Sequence, residues 1–288
     1  MKAPRFAYIR ADSLDQVLTL LAEHGEDARI LAGGQSLMPT LNMRLSQPTV
    51  LIDINKLDSL AGIAVDGGEV RIGALTRHSE VLRSPIVAEH LPLIAEAMTH
   101  VAHVAVRNRG TFGGSIALAD PAAELPACAV ALGARFALAS TRGQRTVEAR
   151  GFFKGLYETE CADDEILTEI RIPAIKPGYA SSFMELARRH GDFALAGVCC
   201  HAKVDGATLS DLSLAYFGSD DRPRFAQAAI AAAEGKAWSD DVKAEVADAL
   251  GSDLDPIGNF HASAATRLHL AKVLTGRALD RLVAQNQG

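Results

Sequence analysis

The stretch "RNRGTFGGSIALADPAAELP" (107–126) decides the fold, because it joins a glycine pair to two carboxylates within one short segment. A second glycine pair lies upstream in "ILAGGQSL" (30–37), again beside small and polar residues. Glycine reaches positive φ without steric cost, so the simplest interpretation of each pair is a tight turn. The alternative is that each turn brings its backbone close to a ligand.

An anionic ligand would suit both segments. A turn without Cβ atoms lets backbone N–H groups converge on a phosphate, and the hydroxyls of Ser36 and Ser115 could complete its shell. Each charge-assisted hydrogen bond contributes roughly 1.5–3 kcal/mol, so several together hold a pyrophosphate. Neither a G-x-G-x-x-G after a strand nor a G-x-x-x-x-G-K-[ST] loop occurs, so a dinucleotide would bind in another way.

The composition is that of an ordinary globular protein. The chain has 288 residues, of which 48% are hydrophobic and 22% charged, and its net charge is −6. The length predicts two or three domains. The acidic balance, without a Lys/Arg block, argues against a nucleic-acid partner. No signal-peptide core or membrane-length apolar run is visible, so we expect a cytoplasmic protein without a transmembrane segment.

The cysteines and histidines do not form a metal-ligand pattern. The four cysteines are Cys128, Cys161, Cys199 and Cys200. Their spacing fits neither a zinc nor an iron–sulfur site, so we expect buried structural thiols. His100 and His103 could share a helix face, but no third ligand accompanies them. We therefore expect no metal in this chain.

The residue pattern predicts a succession of α+β units. The N-terminal part (1–56) contains a helix with Ser13 as N-cap and Gly25 as stop, set among strands. The middle part (57–175) contains helices, one of them capped by Ser79, and strands that alternate apolar and polar residues like a half-exposed antiparallel sheet. The segment "IPAIKPG" (172–178) marks a boundary. The C-terminal part (178–288) reads as three strands followed, from Pro223, by three helices.

Together the glycine segments resemble the paired flavin-binding loops of the FAD subunit of molybdenum hydroxylases. The likeness rests on "ILAGGQSLMPTLNMRL" (30–45), "HVAHVAVRNRGTFGGSIALADPAAELPA" (100–127) and "GDFALAG" (191–197), and it covers essentially the whole chain. The family includes medium subunits of carbon monoxide dehydrogenase and of quinoline-type dehydrogenases, and the flavin domain of xanthine dehydrogenase. The resemblance implies a two-part FAD-binding fold of the PCMH type, followed by a smaller domain with a three-stranded antiparallel sheet and a helical bundle.

The resemblance also implies where FAD lies. The first loop would wrap the pyrophosphate with Ile30, Leu31, Ala32, Gly33, Gly34, Gln35, Ser36 and Leu37. The second loop would close from the other side with Gly110, Thr111, Gly113, Gly114 and Ser115. Ser115 stands where the family often has Asn, although quinoline-type relatives have Ser. Further matching positions are Val101, Ala102, Ala117 and Leu167.

The acids and the C-terminal "GDF" segment extend this predicted site. Asp120 is either the N-cap of a helix or a cofactor contact. By resemblance, Glu124 accepts hydrogen bonds from the ribityl or adenosine hydroxyls. Phe193 would lie against the isoalloxazine ring, with Asp192 fixing the turn. The two arginines before the second loop, 107 and 109, could neutralise phosphate, pair with the acids or lie at an interface.

The function implied by the resemblance is electron transfer within a larger complex. A large subunit would carry a molybdenum cofactor, a small subunit two [2Fe–2S] clusters, and this chain FAD, in a dimer of heterotrimers. The electron acceptor would be NAD, a quinone or oxygen. Purines, carbon monoxide, aldehydes and N-heteroaromatics are all substrates within the family, and the likeness to quinoline-type subunits favours an N-heterocycle or an aldehyde. No residue stands out as catalytic, which fits a chain whose chemistry belongs to its cofactor. The alternatives are a stand-alone flavoprotein oxidase or dehydrogenase and a flavin-free structural subunit.

Overall fold

A computed structural model describes residues 2–285 of the chain. The N-terminal part is a small parallel sheet with two helices. Its elements are β1 (Ala7–Arg10), α1 (Leu14–His24), β2 (Ala28–Leu31), α2 (Leu37–Asn42) and β3 (Val50–Asp53). The strands lie in the order β1-β3-β2, with Asp53 level with both Arg10 and Leu31. The carboxyl ends of all three strands therefore meet at one edge of the sheet.

The middle part is built on a five-stranded antiparallel sheet. Its strands are β4 (Ile63–Asp66), β5 (Glu69–Gly73), β6 (Arg135–Ser140), β7 (Gly143–Glu148), the short pair β8 (Phe153–Gly155) and β9 (Glu158–Thr159), and β10 (Ile166–Pro173). The sheet order is β4-β5-β10-β6-β7, with β8 and β9 paired separately. Its helices are α3 (His78–Arg83), α4 (Pro85–His90), α5 (Pro92–His100), α6 (Val104–Arg107), α7 (Phe112–Leu118), α8 (Glu124–Ala131) and α9 (Ala149–Phe152).

The C-terminal part is an antiparallel sheet followed by helices, as predicted. Its elements are β11 (Tyr179–Ala187), β12 (Ala194–Asp205), β13 (Thr208–Phe217), β14 (Arg224–Phe225), α10 (Gln227–Ala233), α11 (Asp240–Asp253) and α12 (Ala264–Ala284). The three long strands confirm the predicted sheet, and the two-residue β14 adds a short fourth strand. No helix within residues 2–285 combines the length and apolarity needed to cross a bilayer.

The C-terminal sheet uses both of its faces. Phe183, Cys199 and Phe217 belong to the hydrophobic core of the middle part. Cys200 and Tyr216 belong to a second core, which the sheet shares with the C-terminal helices. The adjacent cysteines thus point to opposite faces, as alternating strand residues must. All four cysteines are free, and only Cys161 is partly exposed.

In the N-terminal part of the chain, the predicted helix caps Ser13 and Gly25 are confirmed. The prediction of Ser79 as a helix cap is wrong. Ser13 accepts a hydrogen bond from the backbone of Gln16, and Gly25 ends α1 with a positive φ of 51°. Ser79 lies buried inside α3, which begins two residues earlier than predicted because Arg77 occupies the N-cap position.

Asp120 is not a helix N-cap either. Its Oδ1 accepts a hydrogen bond from the Ala122 N–H at 2.9 Å, and this closes a turn rather than a helix. The helix begins only at Glu124, because the Pro121 carbonyl is taken by the Gly218 N–H at 2.7 Å. The turn itself starts at Ala119, which ends α7 in the left-handed conformation with φ 55°.

Candidate functional site

The two glycine segments touch each other. A Cβ on Gly33 would lie 2.3 Å from the Arg109 carbonyl oxygen and 2.8 Å from the Gly110 Cα. These contacts are backbone atoms, which cannot swing aside as a flexible side chain could. The first loop therefore rests directly on the backbone that leads into the second, and only glycine allows that approach.

The first loop exposes a row of unpaired backbone donors. Between β2 and α2 the N–H groups of residues 33–37 find no acceptor within residues 2–285. Gly34 has a positive φ of 70°, and the Gln35 side chain donates back to the Gly33 carbonyl at 3.0 Å. Successive N–H groups in such a curved loop form a concave site for an anion.

The second loop is used differently. Its N–H groups at Phe112 and Gly113 donate to the carbonyls of Thr76 and Ala74, each at 2.9 Å. The Gly114 N–H donates to the Thr111 Oγ1 at 3.1 Å, which makes Thr111 the N-cap of α7. The glycine pair thus lies in the first turn of a helix, and the interpretation of this pair as a tight turn is wrong.

Packing explains one of these glycines. A Cβ on Gly113 would lie 2.5 Å from the Ala74 Cβ, so this position must stay bare for the loop to reach β5. Of the two hydroxyl residues of the second loop, Ser115 is half-buried, whereas Thr111 is 2% exposed and its Oγ1 already accepts the Gly114 N–H. Only the first loop, however, presents a continuous row of backbone donors.

A polar cluster behind the first loop was not foreseen from the sequence. Asp53 accepts hydrogen bonds from the Tyr8 hydroxyl and, at 2.9 Å, from the Asn55 N–H, and it lies 3.6 Å from the Arg10 Nε. Burial by itself raises the pKa of Asp53, but the hydrogen bonds from Tyr8 and Asn55 bring it below its usual range. The available signal was topological: in a parallel sheet, polar residues at neighbouring strand ends meet.

The first loop and this cluster enclose a cavity of about 650 Å³. It is lined by Tyr8, Arg10, Leu31, Ala32, Gly33, Gly34, Gln35, Met38, Pro39, Asn42, Asp53, Asn55 and Arg109. The two arginines before the second loop, 107 and 109, have different surroundings. Arg109 faces the cavity, whereas Arg107 donates to the carbonyls of Val101 and Ala102 at 2.8 and 2.7 Å.

A second contact joins the middle part to the C-terminal "GDF" segment. Gly191 has a positive φ of 84°, and a Cβ there would lie 2.8 Å from the Ala102 carbonyl oxygen. Two residues later, Phe193 is 70% exposed. The structure thus brings Val101 and Ala102, which match positions lining the flavin or ribityl region, near the segment of Phe193, whose aromatic ring is largely uncovered.

Glu124 lies in a buried group of charged side chains. Burial, reinforced by the charge of Glu185, raises the pKa of Glu124 to about 7. Next to it, the His100 Nδ1 lies 3.2 Å from a Glu185 carboxylate oxygen, and this hydrogen bond raises the pKa of His100. Burial also raises the pKa of Asp120, which accepts a hydrogen bond from the Tyr157 hydroxyl at 3.3 Å.

Several predicted contacts lie away from the cavity. Leu167 is 5% exposed within the core of the middle part. Ile30, Ser36 and Leu37 belong to the first loop but do not line the cavity, and Ala117 is exposed on α7. His100 and His103 do not share a helix, since one ends α5 and the other precedes α6. In the described part of the chain, no three His, Cys, Asp or Glu side chains are arranged to hold a metal.

Comparison with known proteins assigns the family. Residues 4–175 match the model of the FAD binding domain in molybdopterin dehydrogenase. The chain belongs to this family of FAD-binding subunits. Residues 181–282 match a second model, the CO dehydrogenase flavoprotein C-terminal domain. The FAD-binding subunit is thus an oxidoreductase component, and FAD is its cofactor.

Relatives of this FAD-binding subunit match it over nearly its whole length. The glyceraldehyde dehydrogenase medium chain of Sulfolobus acidocaldarius is 38% identical, covering 98% of this chain and all of that protein. The structure of carbon monoxide dehydrogenase from Hydrogenophaga pseudoflava superposes with a TM-score of 0.96 at 39% identity, covering 99% of both chains. The structure of quinoline 2-oxidoreductase from Pseudomonas putida 86 superposes with a TM-score of 0.94 at 36% identity, covering 100% of both chains.

The residues present fit FAD. The cofactor carries a pyrophosphate, and the unpaired N–H row of residues 33–37 supplies the donors that such an anion requires. Arg109 adds positive charge at the same cavity. Gly33 packs against the backbone of Arg109 and Gly110, and because it has no side chain it adds no atoms to the cavity.

Proposed function

We propose that this chain is the FAD-carrying electron-transfer subunit of a heterotrimeric molybdenum hydroxylase. Its role is to take electrons from [2Fe–2S] clusters on a small partner subunit and deliver them to an external acceptor such as NAD, a quinone or oxygen. The observation that carries the proposal is the row of unpaired N–H groups of residues 33–37, of which Gly33, Gly34 and Gln35 line a cavity that Arg109 also lines. Bound FAD supplies the electron-carrying chemistry.

The chain's own residues bind and orient the cofactor. The first loop holds the pyrophosphate through its N–H groups, and the Thr111 and Ser115 hydroxyls approach from the second loop. The remaining loop positions, among them Ile30, Leu37 and Gly110, set the path of the backbone around these donors. Arg109 balances the pyrophosphate charge.

The ring end of the cofactor lies toward the C-terminal segment. The 70% exposure of Phe193 supports a contact with a flat ring, with Asp192 in the turn before it and Val101 and Ala102 beside it. Glu124, whose pKa lies at about 7, accepts or donates hydrogen bonds to sugar hydroxyls close to neutral pH. Further cofactor contacts that we propose near the second loop are Ala117, Asp120 and Leu167.

The proposed partners follow from the names of the relatives. Carbon monoxide dehydrogenase of Hydrogenophaga pseudoflava, among others, has a "medium chain" that is 37% identical to this protein. A medium chain implies a larger and a smaller subunit, which we propose carry the molybdenum cofactor and the two [2Fe–2S] clusters. We propose a dimer of heterotrimers in the cytoplasm, with an N-heterocycle or an aldehyde as substrate.

Isolation of the native complex tests this assignment. The tagged chain is purified from its source, the co-purifying subunits are identified by mass spectrometry, and the flavin absorbance is followed when substrate of the large subunit is added. We expect a large and a small partner and a flavin that is reduced only in the complex. Reduction by substrate in the isolated chain would favour the stand-alone oxidase, and a folded chain that takes up no FAD would favour the structural subunit.

A further inference from the structure

One amide side chain, that of Asn55, holds the carbonyl groups of the first loop. Its Nδ2 donates to the carbonyls of Ala32 at 2.8 Å and Leu31 at 3.2 Å, and to the Asp53 Oδ1 at 2.6 Å. The half-buried Asn55 therefore uses its amide nitrogen entirely on this side of the cavity. Asp53, which Tyr8 and Arg10 hold in turn, fixes the amide in place.

Arg77 links Asn55 to the second loop. Its Nη2 donates to the Asn55 Oδ1 at 2.7 Å, and its Nη1 donates to the carbonyl of Arg109. That carbonyl oxygen is the atom on which Gly33 rests. Among the side chains described, no carboxylate lies within salt-bridge distance of the Arg77 guanidinium. The carboxylates of Glu80 and Asp53 act on this guanidinium only from a longer distance, and Arg77 reaches the cavity through Asn55, which lines it.

These contacts orient the donor row. In a trans peptide the C=O and the following N–H point in opposite directions, so holding the Ala32 carbonyl on Asn55 turns the Gly33 N–H the other way. The Arg109 carbonyl, held on Arg77, is likewise kept from turning toward an anion. The planar guanidinium fork reaches Asn55 and Arg109 at once, which a lysine ammonium cannot do in the same geometry.

We propose that Asn55 and Arg77 are positioning residues for the pyrophosphate, which lock the carbonyls of both loops away from it and so keep the N–H row of residues 33–37 directed at it. This inference rests on the proposed function of the first loop. The two residues lie on different parts of the chain, one after β3 and the other before α3, so together they also fix the spacing of the loops.

The test compares FAD with ADP, which carries the diphosphate and adenosine but no flavin. The full chain is stripped of flavin, and the dissociation constants of FAD and ADP are measured for the wild type and for Asn55→Leu, Arg77→Lys and Arg77→Met. Arg71→Met is the matched control, because Arg71 lies in β5 and pairs with Glu169 at 2.7 Å instead of with either loop. Melting curves of the flavin-free proteins report on the fold.

We expect each of the Asn55 and Arg77 variants to weaken the binding of FAD and of ADP by the same factor. The factor should be roughly tenfold or more, which corresponds to the loss of one charge-assisted hydrogen bond. Arg71→Met should bind both ligands like the wild type. Unchanged affinities in the three variants, or a loss for FAD without one for ADP, would overturn the positioning role. A wild-type chain that binds neither ligand would instead remove the proposed function. If a variant melts early, the neutral, similarly shaped Asn55→Leu and the charge-preserving Arg77→Lys decide the outcome.

Discussion

At Gly33 a single missing methyl group keeps the two loops in contact. A Cβ there would meet backbone atoms at 2.3 and 2.8 Å, so Gly33→Ala must push the loops apart. We expect a loss of FAD affinity of about tenfold or more, corresponding to at least one lost hydrogen bond. The measurement is a titration of the flavin-free chain with FAD.

Gly151→Ala is the control for this change. It adds the same methyl group, but a Cβ at Gly151 meets nothing within 4 Å, and the residue lies in the short helix α9. The control should bind FAD as the wild type does. Equal affinities for Gly33→Ala and the wild type would contradict the contact between the loops as a determinant of binding.

Glu124 predicts a pH dependence of stability. Its pKa rises from 4.5 to about 7 on folding, mainly through burial, so the folded chain binds more protons than the unfolded chain between these values. The free energy of unfolding must therefore fall as the pH rises from about 4.5 to about 7. Glu124→Gln removes this loss and should be more stable than the flavin-free wild type by roughly 3 kcal/mol at pH 8, and little different at pH 4.

Urea unfolding at a series of pH values measures this difference. Glu89→Gln serves as the control, since the Glu89 side chain is 75% exposed on α4 and should show no such trend. A difference between Glu124→Gln and the wild type that stays constant with pH would show that the carboxyl is not protonated in the folded chain.

At the scale of single residues, the glycines could be recognised from the sequence, but the positioning residues Asn55 and Arg77 could not. Adjacent glycines beside hydroxyl residues stand out in any sequence, and their order matches a family. Asn55 and Arg77 carry no local signal, because their roles depend on strand ends and a loop that only the tertiary fold brings together. The use of the Gly113 N–H by Ala74 was equally invisible, since it depends on the pairing of residues 74–78 with residues 110–113.

Among the elements, α7 depends most clearly on one capping residue. The Thr111 Oγ1 accepts the Gly114 N–H at 3.1 Å, and a Cβ on Gly114 would lie 2.6 Å from that oxygen. Thr111→Val keeps the shape but removes the acceptor, and should cost about 1 kcal/mol of stability. Because we propose that this hydroxyl also approaches the cofactor, we expect FAD affinity to fall as well, while Thr111→Ser keeps both properties.

Ser239→Ala provides the comparison for this cap. Ser239 caps α11 through the Val242 N–H, in the C-terminal part of the chain. Chemical unfolding should show a similar loss of unfolding free energy for Thr111→Val and Ser239→Ala, but only Thr111→Val should weaken the binding of FAD. A similar FAD affinity in both variants would reduce Thr111 to a structural cap.

Element boundaries were predictable where a local signal decides them. Ser13 and Gly25 bound α1 as expected, because a cap and a positive-φ glycine act through their own neighbours. Asp120 was misjudged since a distant partner, the Gly218 N–H, takes the Pro121 carbonyl. Helix α2 was not predicted as an element, because its sequence, with Pro39 inside, has a weak helical pattern.

Across residues 2–285, the three larger sheets are joined through shared hydrophobic cores. The order of the units and their α+β character could be predicted from periodicity, and the family from two motifs. That one face of the C-terminal sheet packs into the middle core could not, because strands buried on both faces show no alternation. The divisions near residues 56 and 176 stay predictions, which limited proteolysis can test.

The central claim is that this chain holds FAD between its two glycine loops. The most direct measurement is the flavin content of the purified full chain, extracted by denaturation and identified by mass, together with FAD titration of the flavin-free protein. We expect one FAD for each chain, and a stabilisation of about 2.7 kcal/mol when the free FAD concentration is a hundred times the dissociation constant. A well-folded, colourless chain that neither binds FAD nor gains stability from it would contradict the account.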